Sequence, residues 1–109
     1  MEVRLATHLW VGAYLARLSA EGIFAHLICR GDATAGAVIV KLAFMDGRAS
    51  LFGRVHDLSG GLVWEEEQCL APEAEVDAAI ARRRSRDRDV WVIEVEDPRG
   101  RHMLGEPGI

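Results

Sequence analysis

A chain of 109 residues, half of them hydrophobic and 28% charged, is long enough to bury roughly two-thirds of its unfolded surface and too apolar for a disordered segment. Its formal net charge of -4 argues against a broad electrostatic footprint for nucleic acid or anionic lipid. The longest apolar run, Ala35 to Leu42, is broken by Gly36 and Lys41 and falls far short of the roughly 20 residues a membrane span needs. No bilayer crossing is expected.

Met1-Glu2-Val3-Arg4 has mixed charge and leads into an amphipathic segment, not into the uniform apolar stretch of a signal peptide. Two cysteines, Cys29 and Cys69, are too few for a disulfide framework. Reduced thiols and a cytoplasmic location are the expectation.

Thr7 has the chemistry of an N-cap, His8 to Ala20 follows, and Gly22 stands at the usual stop, so the spacing predicts a helix. Trp10, Val11, Tyr14, Leu15 and Leu18 share a stripe that should face the core. The opposite side, Gly12, Ala13, Ala16, Ser19 and Ala20, is small and smooth. Such a surface suits a good helix former and also permits close approach of a second helix or subunit.

Ile23 to Arg30 reads as a strand and Gly31 to Gly36 as a turn-rich connection. Asp46-Gly47 is a two-residue hairpin signature between Ala37 to Phe44 and Ala49 to Leu58. That loop would set Val38, Val40, Leu42 and Phe44 on one core face with Val55, Gly53, Leu51 and Ala49. The turn Leu58-Ser59-Gly60-Gly61 leads into Leu62 to Leu70, with Trp64 expected opposite Val55 and Arg54 opposite Glu65. Pro72 at a first helical position, Glu73 and Glu75 in the opening turn, and Arg82, Arg83 and Arg84 at the end predict a second helix, with Val76, Ala79 and Ile80 as its core stripe. Val90 to Glu96 predicts a last strand before Asp97-Pro98-Arg99-Gly100, and the tail from His102 is expected to pair briefly. The expected fold is therefore α+β, one domain over residues 1–109. It has a mainly antiparallel sheet of about five strands and two helices packed on one face, in the order α-β-β-β-β-α-β.

Three stretches, Arg4-Leu5-Ala6-Thr7, Arg30 through Val38 and Asp89 through Asp97, resemble an uncharacterised bacterial family catalogued as domain of unknown function 1491. The resemblance spans nearly the whole chain. It implies a bacterial cytoplasmic domain and assigns no activity or site.

In that hairpin register Lys41, Arg54, His56, Glu65 and Glu67 would converge on the outer sheet face as a candidate binding group. A histidine beside carboxylates is material for general acid–base chemistry. A solvated face laced with cross-strand ion pairs explains the same residues, and no nucleophile or oxyanion donor set accompanies them. Gly31, Asp32, Thr34 and Gly36 form a second candidate, an anion-binding loop. They lack the lysine and the following helix of a phosphate loop, and a side-chain-closed turn between two strands is the favoured reading. Arg82, Arg83, Arg84, Arg86 and Arg88 could grip phosphates, but Asp87 and Asp89 interrupt them and a helix end favours cations anyway. His8, His26, His56 and His102 are scattered, and no Cys-x-x-Cys occurs. Neither a metal site nor a cofactor is expected on that spacing.

The favoured functional expectation is a small noncatalytic interaction or adaptor domain with an unidentified protein partner or self-association. The first alternative is a small enzyme or ligand-binding protein using the charged sheet face or the Gly31–Gly36 loop, which a deep pocket beside those residues would support. The second is nucleic-acid binding through Arg82–Arg88, which requires affinity that falls steeply with salt.

Overall fold

The computed structural model describes residues 5–56, 58–59 and 61–106, the side chain of His56 excepted. The chain order is α1 (Thr7–Ala20), β1 (Phe24–Cys29), β2 (Val38–Ala43), β3 (Arg48–His56), β4 (Leu62–Pro72), α2 (Glu73–Arg86) and β5 (Trp91–Glu96), the order expected from the sequence. One sheet holds the strands in the order β1-β5-β2-β3-β4. β1–β5, β2–β3 and β3–β4 pair antiparallel and β2–β5 parallel, so α2 carries the chain from the β4 edge back to the middle of the sheet.

The two central strands explain the burial. Every residue of β2 is buried, and so are Trp91, Val92, Ile93 and Val95 of β5. Strand side chains alternate between faces, so near-continuous apolar runs put apolar atoms on both sides of the sheet, and each side needs a cover. The expected placement of both helices on one face is therefore corrected. α1 packs Val11, Tyr14 and Leu18 against Val38, Val40, Leu42, Trp91, Ile93 and Val95. α2 packs Val76 and Ile80 on the other side against Ile39, Leu51 and Val92.

The hairpin register also differs from expectation. Phe44 N–H donates to the Arg48 carbonyl at 3.1 Å, which leaves Met45, Asp46 and Gly47 as a three-residue loop. Met45 and Gly47 take φ of 64° and 90°, and Asp46 Oδ1 accepts from Arg48 N–H at 3.1 Å. The extra loop residue shifts the pairing by one, and a one-residue slip turns every side chain to the opposite face. Val40 lies opposite Phe52, Leu42 opposite Ser50, and Arg54 opposite Trp64 in place of Glu65.

Two local expectations change as well. Thr7 is not a cap; it is buried within α1 behind Ala6, and its hydroxyl donates to the Gly36 carbonyl at 3.0 Å. That bond, with Thr7 N–H to Thr34 O at 3.1 Å, fastens the start of α1 to the β1–β2 connection. Among the described residues of the tail, 102–106, none pairs as a strand: Tyr14 O–H donates to His102 O at 2.7 Å, and Leu104 enters the α1-side core.

Candidate functional site

On the α1 side, the shifted register builds an aromatic groove. Trp10 stacks on Tyr14 one helical turn away, with ring centroids 4.9 Å apart, and meets Trp64 from β4 at 5.5 Å. The Arg54 guanidinium lies 5.0 Å from the Trp10 ring centroid and 5.3 Å from that of Trp64, within cation–π range of both. A cavity of about 650 Å³ opens beside this stack, with Phe52, Glu66 and His102 on its walls. A second of about 650 Å³ shares Trp10, Arg54 and Leu62 and reaches Thr34–Val38. A third of about 350 Å³ shares His102, Leu104 and Glu106 with the first. The three form a chain along one side of the molecule. Burial lowers the His102 pKa, and its Nδ1 accepts from Leu104 N–H at 2.9 Å, so the ring is neutral at neutral pH.

On the α2 side, Lys41 stands in the otherwise apolar β2 with 4% of its surface exposed. Glu73 and Asp77, four apart and thus on one face of α2, place Oε1 and Oδ1 at 2.8 Å and 2.7 Å from its Nζ. Glu94 Oε1 of β5 lies at 3.1 Å. Burial works against the ammonium charge, but the hydrogen bonds to Asp77, Glu73 and Glu94 outweigh it and raise the Lys41 pKa. A lysine held charged in this way is neither base nor nucleophile at neutral pH. Beside it, His26 Nε2 lies 4.0 Å from Glu94 Oε2, and the hydrogen-bonded carboxyl of Glu94 raises the pKa of Glu96.

The residues singled out from the sequence do not converge. Lys41 is on the α2 side with Glu73, Asp77 and Glu94, and Arg54 is on the α1 side between the tryptophans. Glu65 pairs with Gly53, and Glu67 lies over Gly53 so closely that a Cβ there would overlap its carboxylate. The side chain of His56 is outside the described residues. In the Gly31–Gly36 loop, Asp32 Oδ2 accepts from Thr34 N–H at 3.2 Å and Ala35 N–H at 2.9 Å, so those donors face the loop's own carboxylate. Gly31 and Gly36 sit where a Cβ would overlap the Asp89 carbonyl, a close approach that only glycine permits. Arg82, Arg84, Arg86 and Arg88 are exposed, and Arg83 pairs with Asp87 at 3.9 Å.

Sequence reasoning missed Trp10, Trp64 and His102 as groove residues, and Glu73, Asp77, Glu94 and His26 around Lys41. One signal was available. A lone lysine inside Val-Ile-Val-Lys-Leu-Ala calls for buried counter-charges, and Glu73 with Asp77 is the helix spacing that supplies two.

Fold and sites define a small mixed-sheet α+β protein with an aromatic groove on one side and, on the other, a buried lysine held by three carboxylates. The chain belongs to the family described as Protein of unknown function (DUF1491), whose model matches residues 5–105. It is similar to a DUF1491 family protein from Caulobacter crescentus CB15 in its crystal structure, with 39% identity over 95% of this chain and 98% of that one and a TM-score of 0.87. The solution structure of a DUF1491 family protein from the same organism matches with 38% identity over 97% of each chain and a TM-score of 0.84. Protein Atu0922 from A. tumefaciens matches with 29% identity over 86% of each chain and a TM-score of 0.75. Comparison with curated proteins gives no match.

Proposed function

We propose that this chain is a noncatalytic interaction domain of the bacterial cytoplasm that takes an extended segment of a partner protein into the α1-side groove. The observation that carries this reading is the Trp10–Arg54–Trp64 stack at the junction of the two larger cavities. Tryptophan and arginine in desolvated pockets dominate binding energies at protein interfaces. Leu62 and Val63, 38% and 40% exposed, extend the apolar lining. The geometry suits an aromatic or aliphatic side chain laid against the indoles. The chemistry of the nucleophile candidates supports a noncatalytic role: Lys41 is held charged, and a hydrogen bond to Glu66 raises the Cys69 thiol pKa. The free thiols of Cys29 and Cys69 accord with a reducing compartment.

The test is selection from a displayed random-peptide library against the wild type, with Trp64→Ala and Arg54→Ala as counter-screens. Enriched peptides that lose at least about tenfold in affinity on either variant support the groove. Failure to enrich, or equal binding to the variants, refutes it.

A second reading, self-association, rests on a different surface. Arg17 is the charged residue of α1, whereas α2 carries Glu73, Glu75, Asp77, Arg82, Arg83, Arg84 and Arg86. The outward Gly12, Ala13, Ala16, Ser19 and Ala20 are all exposed, and small residues let helix axes approach to about 8 Å. Sedimentation equilibrium should show a dimer that Ala13→Glu with Ala16→Glu dissociates. A wild type that stays monomeric at the highest soluble concentration removes this reading.

A further inference from the structure

The antiparallel β1–β5 pairing sets His26 directly opposite Glu94. Glu96, two residues along β5, points to the same face. One donor atom from each of His26, Glu94 and Glu96 lies within 4.8 Å of the others. Among the described residues, neither nitrogen of His26 is committed elsewhere. Its Nδ1 is buried with no hydrogen-bond partner, and its Nε2 approaches Glu94 Oε2 at 4.0 Å, beyond hydrogen-bond reach. The two oxygens of Glu94 have different neighbours: Oε1 is 3.1 Å from Lys41 Nζ, while Oε2 turns to His26. Lys41 in turn is gripped by Glu73 and Asp77. Its single positive charge is thus shared among three carboxylates, Glu73, Asp77 and Glu94, with Glu96 a fourth alongside, so negative charge remains to be met by another cation.

We propose that His26, Glu94 and Glu96 bind a divalent transition-metal ion of the zinc type, with Lys41 acting through Glu94 as a positioning residue. One imidazole nitrogen with two carboxylate oxygens is a mixed set that suits zinc and its neighbours, whereas magnesium prefers oxygen alone. Two carboxylates and a neutral imidazole match the charge of a divalent cation. Ligand bonds of roughly 2.0–2.2 Å require the three side chains to draw together on binding. The 42% exposure of the His26 side chain leaves room for that movement and for water in the remaining coordination position. Orienting one oxygen of a ligating carboxylate by an outer hydrogen bond is how metal sites hold their first ligands in place.

The test is equilibrium dialysis of chelator-stripped protein against zinc chloride, with magnesium chloride in parallel and bound metal read by mass spectrometry. Stoichiometric zinc binding at micromolar concentration is expected, with magnesium much weaker. His26→Ala and Glu96→Gln should each lower zinc affinity at least about 100-fold, while His8→Ala and Glu75→Gln, which alter a histidine and a carboxylate outside the cluster, leave it unchanged. Far-UV circular dichroism without metal checks that each variant folds. Zinc that does not bind the wild type, that binds the His26 and Glu96 variants equally well, or that binds no better than magnesium overturns the proposal.

Discussion

Replacing Lys41 by Met tests whether the cluster beneath α2 balances charge or merely fills space. The substitution keeps most of the side-chain volume in a site that is 4% exposed and leaves Glu73, Asp77 and Glu94 facing one another without their cation. Removing one partner of a fully buried ion pair costs about 3–5 kcal/mol, mostly as uncompensated charge. Here Glu73 and Asp77 are 42% and 57% exposed and can return to water, while Glu94, at 17%, cannot. Discounting the two exposed partners leaves about 2 kcal/mol. For a domain of this size that is a fall in Tm of about 8 °C, read by circular dichroism at neutral pH with a chelator present. Adding Glu94→Gln to Lys41→Met should restore about half of the loss. The raised pKa of Lys41 also fixes a pH signature. Its contribution is fully present below the ordinary lysine pKa of about 10.4 and is lost as pH rises through the higher folded value. The gap between wild type and Lys41→Met should thus hold steady from neutrality and narrow only in strong base. A variant that melts at or above the wild-type temperature, or a double variant no better than the single one, would refute this reasoning.

Gly31→Ala should cost about 1–3 kcal/mol of stability, read as a lower urea midpoint, because its Cβ would overlap the Asp89 carbonyl and come within 2.6 Å of Trp91 Cδ1. Gly12→Ala, with nothing within 4 Å on the helix surface, should instead stabilise by up to about 1 kcal/mol. Tyr14→Phe removes the donor to His102 O and should cost about 1–2 kcal/mol, seen as faster amide exchange around Leu104 if this bond anchors the tail. Two steps of acid destabilisation are expected, because His102 and Asp97 both have lowered pKa values. Burial lowers His102 from 6.5, so its unfolded form takes up protons first and stability falls as pH drops below about 6.5. The hydrogen bond from Arg101 lowers Asp97 from 3.8, so that contribution is present above about 3.8 and disappears as pH falls through the folded value. His102→Asn should abolish the upper step in a pH series of melting temperatures and leave the lower one.

The amino-acid sequence by itself determined the element order and their kinds, because those depend on neighbours along the chain. Gly22 takes the left-handed conformation, with φ of 73°, just past α1, and acidic and basic residues occupy the two ends of α2 as its dipole prefers. The stripe Val11, Tyr14 and Leu18 was likewise readable from spacing and is buried. Which face a strand residue serves was not readable. Asp46-Gly47 fits a two-residue loop as well as the three-residue Met45–Gly47 loop, and that single residue sends Lys41 and Arg54 to opposite sides. Nor was it legible that β5 lies between β1 and β2, which is what brings His26 to Glu94 and Glu94 to Lys41. Local rules bias each residue's own φ and ψ, whereas the register between distant strands is chosen by how the apolar faces of the whole sheet fill against α1 and α2. With a side-chain period of two, every polar neighbourhood then follows from that choice.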